Sequence, residues 1–395
     1  MRVAVVGCGT GGPAAALFLA RQGHAVEIFE RVAHPTPVGA GLLLQPTGMA
    51  VLARLGLLGR VLDRGARIHR LHGRNLRDRV VLDLAYDDLR PGLFGLGVHR
   101  GTLFQALLDA VVAEGIPVHT GQELTRIPEG YDLVVVADGA RSHLRPPDAR
   151  VRPYPWGALW AALPDPNGRW DGVLWQRYRD TRQMIGFLPS GTPPGAEGPV
   201  VSFFWSLRVD ALDAWRERGL EAWKAEIRAM VADAPLDDLH EPVFAPYFDV
   251  TMYPYVRGNV VYIGDCAHAM SPQLGQGANL ALLDAAVLAD CVAEGRLDRY
   301  SELRRDHLGF YQFASRWLTP FFQSSFPILA PARDLVGKPL HLWPWYRRQM
   351  LGSLAGAKTG IFTELPGGVP DLSRLLTTTS APRAPDQVEV QHEAR

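Results

Sequence analysis

The sequence predicts an α/β fold: a Rossmann-like domain built on a parallel sheet, with an inserted, mainly antiparallel sheet and C-terminal helices. Three observations predict it. Residues 2–30 read as a strand, a glycine turn, a helix and a second strand. Two later apolar runs, at residues 131–138 and 260–265, each end in an aspartate beside a glycine. Between them, residues 151–207 show strand patterns without interleaved helices, which is typical of an antiparallel insert.

The composition indicates a globular protein with a large core. Of 395 residues, 47% are hydrophobic, and 41 basic side chains balance 41 acidic ones, which argues against nucleic acid as a partner. The N-terminus lacks the pattern of a secretory signal, so we expect a cytoplasmic location. No apolar run is long enough for a transmembrane segment. The 3 cysteines show no metal-binding spacing, so we expect free thiols and no metal, while the oligomeric state stays open.

The opening βαβ unit predicts a dinucleotide site. Gly7, Gly9 and Gly12 have the GxGxxG spacing, which serves a tight turn, a close approach of the backbone to a pyrophosphate, and close helix packing. The following helix N-terminus offers an anion site. Glu30, at the end of the second strand, is placed to accept hydrogen bonds from a ribose. A glycine turn kept only for packing is the alternative, because GxGxxG alone is a weak signal.

Two further segments could approach the same ligand. Glycines in VGAGLLLQPTGMAVL, which include Gly41, allow the backbone to pass close to a ligand, although a plain strand–helix junction explains them as well. Arg100 follows a strand end and is placed to reach a phosphate, with a solvated surface arginine as the alternative. His99 before it is interpreted as structural.

The two strands that end at Asp138 and Asp265 predict where the ligand lies. Open α/β sheets bind ligands at the carboxyl ends of their strands. Because both aspartates follow such ends, we expect one shared ligand at one shared edge.

The chain divides into segments on this interpretation. Residues 1–150 form the first part of the nucleotide-binding domain, with an excursion near 66–95 into the substrate domain. Residues 151–250 form that substrate domain, 251–376 the second part of the first domain with the C-terminal helices, and 377–395 a disordered tail. The insert is expected to form one wall of a pocket, with Gln45, Arg182 and Trp205 as candidate substrate contacts.

Three motifs together carry a family resemblance. GCGTGG with Glu30, DGARSHLR at residues 138–145, and GDCAHAMSPQLGQGANLALLDA at residues 264–285 occur in this order. They resemble the three fingerprints of the class A flavoprotein monooxygenases, the para-hydroxybenzoate hydroxylase-like family. The resemblance runs from Met1 to about Asp290 and continues more loosely through the C-terminal helices. Cys266 departs from the motif, in which alanine is commoner, and is a conservative change.

The resemblance implies FAD as the cofactor. It implies that the glycine turn holds the pyrophosphate, Glu30 the adenosine ribose, Arg100 the ribityl-pyrophosphate region and Asp265 the ribityl chain. It also implies that Pro272 faces the isoalloxazine. The implied cofactor-binding positions are Gly7, Gly9, Thr10, Gly11, Gly12, Glu30, Arg31, Gly41, Arg100, Leu124, Asp138, Asp265, Pro272, Gly275, Gly277, Ala278 and Asn279.

Some of these positions have a more specific implied role. Leu124 would contact adenine through its backbone, and Asp138 belongs to a motif that the family associates with both FAD and the nicotinamide donor. Residues 275–279 would lie along the flavin pyrimidine edge. The helix after them would direct its N-terminus at the flavin N1/C2 carbonyl, where its dipole favours the anionic reduced flavin. His268 matches a family histidine and is interpreted as structural.

The implied reaction is a monooxygenation. NADH or NADPH reduces FAD, O₂ is captured as a C4a-hydroperoxide, and one oxygen atom passes to a small organic, typically aromatic, substrate. The protein must exclude water and position the substrate. No catalytic acid or base is assigned, and epoxidation or Baeyer–Villiger insertion stays open beside hydroxylation.

Three alternative functions share parts of this pattern. A flavin-dependent halogenase is disfavoured because WGALWAALP lacks the WxWxIP spacing and no lysine precedes Lys224. A flavin-dependent reductase of isoprenoid double bonds shares two of the motifs, and oxygen consumption would separate it. A non-catalytic flavin-binding interaction module would show no NAD(P)H turnover.

Overall fold

A computed structural model of the protein describes residues 1–36 and 39–379. The strands, β1 to β16, are Arg2–Val6, Ala25–Glu30, Gly41–Leu44, Ala66–Ile68, Arg70–Asn75, Val80–Ala85, Gly95–His99, Val118–Thr120, Leu133–Val136, Arg150–Pro164, Val173–Arg179, Gln183–Pro189, Val200–Arg208, Val243–Thr251, Val256–Arg257 and Val260–Tyr262. The helices, α1 to α11, are Gly11–Arg21, Pro46–Arg54, Leu58–Leu62, Arg100–Ala113, Leu212–Met230, Asp265–His268, Gly277–Ala293, Tyr300–Phe322, Leu329–Leu342, Pro344–Leu354 and Leu372–Thr379. Short 3₁₀ turns lie at Tyr86–Asp88, Val209–Ala211, Pro272–Leu274 and Leu297–Arg299.

The first sheet has six strands in the order β15-β16-β9-β1-β2-β8. Its neighbouring strands from β16 to β8 pair in parallel, and β15 pairs antiparallel. Val3, Val5 and Val135 are fully buried, because apolar runs of this kind are covered on both faces. Helix α1 packs against the sheet and against α7. The predicted Rossmann-like sheet is therefore confirmed.

This strand order brings distant parts of the chain to one edge. Strands β1, β9 and β16 are neighbours and run in the same direction. The residues that follow them are the glycine turn, Asp138 and Asp265, so all three lie at the same carboxyl edge. The expectation of a shared edge is met by the topology.

The second sheet has seven strands in the order β14-β10-β13-β12-β11-β5-β6, and only β11 and β5 pair in parallel. One face packs into the core shared with the first sheet. The opposite face forms a separate core with α5, a helix interrupted at Gly219, where φ is 78°. A third, three-stranded sheet, β3-β7-β4, contacts β12 of the second sheet through β3 and β7. The second sheet thus presents one face to the first domain.

The predicted tail at 377–395 falls mostly outside the described residues, which end at 379. Helix α11 runs to Thr379, so regular structure continues past the predicted start of the tail at residue 377. Within residues 1–36 and 39–379, none of the helices combines the length and the apolarity needed to cross a membrane.

Candidate active site

The glycine turn after β1 is built around two close backbone approaches and one open position. Gly7 has φ of +104°, and a Cβ there would lie 2.5 Å from the carbonyl oxygen of Ala137. A Cβ on Gly12 would lie 2.0 Å from the Gly7 carbonyl oxygen. At Gly9 a Cβ would meet no atom within 4 Å. The N-cap of α1, Thr10, makes no side-chain capping bond, so the first N–H groups of the helix are available to an anion.

Glu30 has a structural task that sequence reasoning missed. Its Oε2 accepts the backbone N–H of Cys8 at 2.7 Å, and its Oε1 accepts that of Val32 at 2.9 Å. The carboxylate therefore braces the glycine turn from the end of β2. Burial, together with the charge of Glu30, raises the pKa of Cys8 to about 12, so the thiol stays protonated. Arg31, which follows Glu30 in the chain, is exposed, and its charge is close enough to Asp138 to act to lower the pKa of that carboxyl.

Asp138 carries an unsatisfied buried oxygen at the sheet edge. Its Oδ1 has no hydrogen-bond partner among the residues that the structure describes, and burial raises the pKa of Asp138. Arg145, from the same motif, donates from Nε to the Cys266 carbonyl at 2.6 Å and from Nη2 to the Gly139 carbonyl at 3.0 Å. Arg145 thereby joins the two aspartate-bearing turns, a role that was not predicted because the contact spans 121 residues.

Asp265 projects from a buried turn into an accessible cleft. Gly264, with φ of +64°, and Cys266 are both buried, whereas Asp265 between them is exposed. Its Oδ1 lies 3.6 Å from the place where a Cβ on Gly277 would stand, at the start of α7. Arg100 lies near Asp265. The charge of Asp265 raises the pKa of Arg100, but burial lowers that pKa by more. The Arg100 side chain is itself exposed to solvent.

The loop between β16 and α7 supplies a second accessible wall. Pro272 is exposed, and Gly275 has φ of +61°. Gly277 and Ala278 are partly accessible at the N-terminus of α7, whose N-cap, Gln276, makes no side-chain capping bond. Gly277 and Ala278 are thus accessible at the start of α7, and Gly277 lies beside Asp265.

Asn279 is committed inside the protein. Its Oδ1 accepts the backbone N–H of Gln45 at 2.8 Å, and its Nδ2 donates to the carbonyls of Leu43 and Gly275 at 3.1 Å. It fixes the segment after β3 against α7 through both ends of its side-chain amide. Gln45 is itself fully buried, and its Oε1 accepts a hydrogen bond from the Tyr86 hydroxyl at 2.6 Å. Within the described part of the chain its Nε2 has no partner.

The structure places two candidate substrate contacts away from Asp265 and the glycine turn. Arg182 lies exposed on the turn between β11 and β12, where it bonds to Asp180. Trp205 is 1% exposed and packs against Trp223 in the core under α5, on the opposite face of the sheet from the cleft. Strand alternation directs Trp205 away from the first domain.

Gly41 and Leu124 have mainly packing surroundings. A Cβ on Gly41 would lie 2.1 Å from the hydroxyl oxygen of Ser190, so Gly41 allows β3 to meet the second sheet. Leu124 lies partly buried against the core in the loop after β8.

His268 belongs to a buried charged network behind the cleft. Its Nε2 lies 2.6 Å from Asp284 Oδ2, and Arg304 Nε donates to Asp284 Oδ1 at 2.7 Å. Burial acts to raise the pKa of Asp284, but His268 and Arg304 outweigh it and hold that pKa well below its usual range. Asp284 also accepts the N–H of Gly264 at 2.8 Å, which anchors the turn before Asp265.

Comparison with protein families gives one match along most of the chain. The model described as FAD binding domain matches residues 1–137 and 131–308. These residues contain the glycine turn, both aspartate turns and α7.

Curated relatives are similar over about three quarters of the chain. The 6-hydroxynicotinate 3-monooxygenase of Pseudomonas fluorescens is 28% identical over 331 residues, which are 74% of this chain and 83% of that protein. The 3-amino-4-hydroxybenzoate 2-monooxygenase of Streptomyces cremeus is 28% identical over 321 residues, 74% of this chain and 78% of that protein.

Solved structures share the fold at lower identity. Klebsiella pneumoniae HpxO, complexed with FAD and uric acid, matches with a TM-score of 0.72 and 20% identity, over 91% of this chain and 98% of that one. A mutant of 2-methyl-3-hydroxypyridine-5-carboxylic acid oxygenase matches with a TM-score of 0.72 and 21% identity, over 89% of this chain and 96% of that one.

Proposed function

The chain belongs to the FAD binding domain family, and from this membership we propose that it hydroxylates a small aromatic or heteroaromatic compound. It is an FAD-dependent monooxygenase of the para-hydroxybenzoate hydroxylase-like class. Two relatives are named for monooxygenation of a substituted pyridine and a substituted benzene ring, which supports a ring substrate here. We propose NADH or NADPH as the reductant and O₂ as the source of the inserted oxygen atom.

The observation that carries the proposal is the convergence of accessible groups at one sheet edge. Arg100, Asp265 and Pro272 are exposed although the residues around them are largely buried, and Arg100 lies near Asp265. The open position at Gly9 and the unsatisfied Asp138 Oδ1 lie at the same carboxyl edge. This arrangement fits an elongated, phosphate-bearing cofactor such as FAD.

We propose how the chain's residues hold FAD. The free N–H groups at the start of α1 hold the diphosphate, with Gly9 leaving room for it. Glu30 holds the adenosine ribose. Asp265, next to Arg100, accepts hydrogen bonds from the ribityl hydroxyls, because an ionised carboxylate accepts hydrogen bonds more strongly than a neutral group does.

Bound FAD would supply the redox chemistry, accepting a hydride from NAD(P)H and activating O₂. The chain supplies the environment. The uncapped N-terminus of α7 stabilises negative charge near Ala278 and Gly277. The buried face of the second sheet excludes water from the reacting ring.

The test is an NAD(P)H oxidation screen with purified protein. We expect a yellow protein that releases FAD on denaturation, consumes O₂ in a substrate-dependent way, and gives a product heavier by one oxygen atom. Protein that does not bind added FAD would contradict the family role. Turnover of NAD(P)H with reduction of a double bond and no oxygen gain would favour a reductase instead.

A further inference from the structure

Several separate segments of the chain meet at one end of the second sheet. Strands β5 and β11 are parallel neighbours, so the turn after β5 lies beside the turn after β11. Strand β13 ends at the same end of the sheet, because it runs antiparallel to β12. The connection from α8 into α9 bonds to both turns. These segments, residues 74–79, 177–182, 208–210 and 324–335, are called the sheet-end surface below.

Hydrogen bonds hold residues 324–335 in place at both ends. Near the start of this segment, the carbonyl oxygen of the buried Thr181 accepts the backbone N–H of Ser324 at 2.9 Å. Near its other end, Asn75 Nδ2 donates to Asp334 Oδ2 at 2.6 Å. The segment is therefore fixed to the two turns of the sheet.

Large apolar side chains are exposed on this anchored backbone. Phe326 is 64% exposed, Ile328 is 78% exposed and Leu335 is 74% exposed. Leu76, at 41% exposed, belongs to the turn that Asn75 ties to the segment of Leu335. Several exposed apolar side chains on neighbouring segments are typical of a surface that binds a partner or a membrane.

The sheet-end surface also carries an excess of positive charge. It contains eight arginines and four aspartates, whereas the whole chain has a net charge of zero. Each aspartate already pairs with an arginine: Asp78 with Arg177, Asp180 with Arg182, Asp210 with Arg208, and Asp334 with Arg333. The other four arginines of the surface have no carboxylate there.

Arg77 and Arg79 are the accessible members of these four. Both are exposed, and within residues 1–36 and 39–379 neither guanidinium has a hydrogen-bond or ion-pair partner. Arg74 and Arg179 are half-buried and donate to a histidine ring nitrogen and a glutamine oxygen. The turn after β5 thus presents two unpaired cations beside the exposed Leu76.

A bilayer that contains anionic lipids matches both properties of the surface. Its interface takes up apolar and aromatic side chains, and its headgroups attract arginines. A nucleic acid would bind the arginines but leave Phe326 and Ile328 in water. A second copy of the chain in a two-fold contact would bring the same unpaired arginines face to face, which like charges oppose.

We propose that the sheet-end surface docks the protein on the surface of a bilayer that contains anionic lipids. Phe326 and Ile328 enter the interfacial region, and Arg77 and Arg79 bind the headgroup phosphates. The attraction is electrostatic in part, so it weakens as the salt concentration rises. The inference is separate from the proposed function, because none of these residues is assigned to FAD.

Co-sedimentation of the FAD-loaded, full-length protein with vesicles tests the proposal. The vesicles consist of phosphatidylcholine alone or of phosphatidylcholine mixed with phosphatidylglycerol. We expect at least about tenfold tighter binding to the mixed vesicles, and release from them by salt. Equal binding to both kinds of vesicle, or no binding to the mixed ones, would overturn the proposal.

A double variant tests the two cations. Arg77→Gln with Arg79→Gln should weaken binding to the mixed vesicles about tenfold, at unchanged FAD content. Arg67→Gln with Arg126→Gln is the matched control, because both arginines are exposed, have no carboxylate partner among the described residues, and lie outside the sheet-end surface. An equal loss in both double variants would assign the binding to the charge of the whole protein.

A second double variant tests the apolar side chains. Phe326→Ser with Ile328→Ser should also weaken binding to the mixed vesicles about tenfold. Phe362→Ser with Ile361→Ser changes the same residue types at exposed positions outside the sheet-end surface and should bind like wild type. Wild-type binding by the Phe326 and Ile328 variant would contradict insertion of these side chains.

The two other partners give different results with the same proteins. A dimer in the absence of vesicles that dissociates in the Phe326 and Ile328 variant would assign the surface to a second copy. Binding of duplex DNA that is lost in the Arg77 and Arg79 variant, without binding to mixed vesicles, would assign it to nucleic acid. Either result would overturn the lipid assignment and leave the proposed monooxygenation untouched.

Discussion

Gly12 approaches Gly7 so closely that a Cβ on Gly12 would lie 2.0 Å from the Gly7 carbonyl oxygen. Two residues after Gly7, the same turn is open, because a Cβ on Gly9 would meet nothing within 4 Å. The two glycines of one motif therefore serve different needs: Gly12 serves the fold, and Gly9 leaves room for the ligand.

Replacing each glycine with alanine tests the two roles separately. Gly12→Ala should lower the melting temperature of the apoprotein, because backbone must move to admit the methyl group. Gly9→Ala should melt like wild type and bind FAD about tenfold or more weakly, since the methyl occupies cofactor space. Melting curves of the apoproteins and titration by flavin fluorescence measure both. Wild-type FAD affinity in Gly9→Ala would show that the open space is not the cofactor's.

Removal of the Asp265 carboxylate should weaken FAD without unfolding the protein. The side chain is exposed in the cleft, so Asp265→Ala should cost roughly 1.5–3 kcal/mol of binding, about a ten- to hundredfold loss of affinity. Asp290→Ala is the matched control, because Asp290 is an exposed carboxylate on α7 that pairs with Arg54. A destabilised Asp265→Ala apoprotein with unaltered FAD affinity would show a purely structural role.

Glu30 should discriminate FAD from FMN. Glu30→Ala removes the acceptor proposed for the adenosine ribose, which FMN lacks, so affinity for FAD should fall more than affinity for FMN. The lost bond to the Cys8 N–H should also lower apoprotein stability by about 1 kcal/mol. This loss of stability weakens the binding of FAD and of FMN alike. Parallel fluorescence titrations measure the difference. An equal loss for both cofactors would assign Glu30 to bracing the turn alone.

The stability of the fold should depend on pH through His307. Burial, followed by the charge of Arg304, lowers the pKa of His307 from 6.5 to about 3. The folded pKa is below the unfolded one, so the unfolded chain binds more protons and stability is lost as pH falls below 6.5. From pH 7.5 to pH 5, this group alone should remove about 2 kcal/mol from the free energy of unfolding.

Chemical denaturation of His307→Gln at both pH values measures this contribution. The variant should lose about 2 kcal/mol less than wild type over that interval. His34→Gln, which changes an exposed histidine, should retain the wild-type pH dependence. The same pH dependence in His307→Gln as in wild type would contradict a neutral, buried His307.

The parts of the site that could be predicted are those that local sequence patterns indicate. Gly7, Gly12 and Asp265 follow apolar strands whose ends are visible in the sequence, and parallel strand pairing brings those ends together. Their position at one edge follows from the parallel pairing of these strands alone.

Side chains on the strands of the insert could not be placed from the sequence, because their position depends on which face of a strand meets which core. Trp205 and Phe204 are neighbours in β13 of the insert, yet Trp205 packs under α5 and Phe204 packs into the core shared with the first sheet. Alternation predicts that faces differ, but not which one the helix covers. Arg145 was missed for another reason, because its partner, the Cys266 carbonyl, is set by the meeting of two distant turns.

The pairing of β16 with β9 has a consequence for synthesis of the chain. Strand β9 ends at Val136, and its partner β16 begins only at Val260, after the whole inserted sheet. Until then the edge of β9 has no partner on that side, and an unpaired strand edge is a template for association with other chains. The insert can assemble while its host sheet is still open, so the two sheets are expected to form in the reverse of their order in the chain. Ribosome-bound chains truncated before residue 260 should accordingly be the most prone to aggregate.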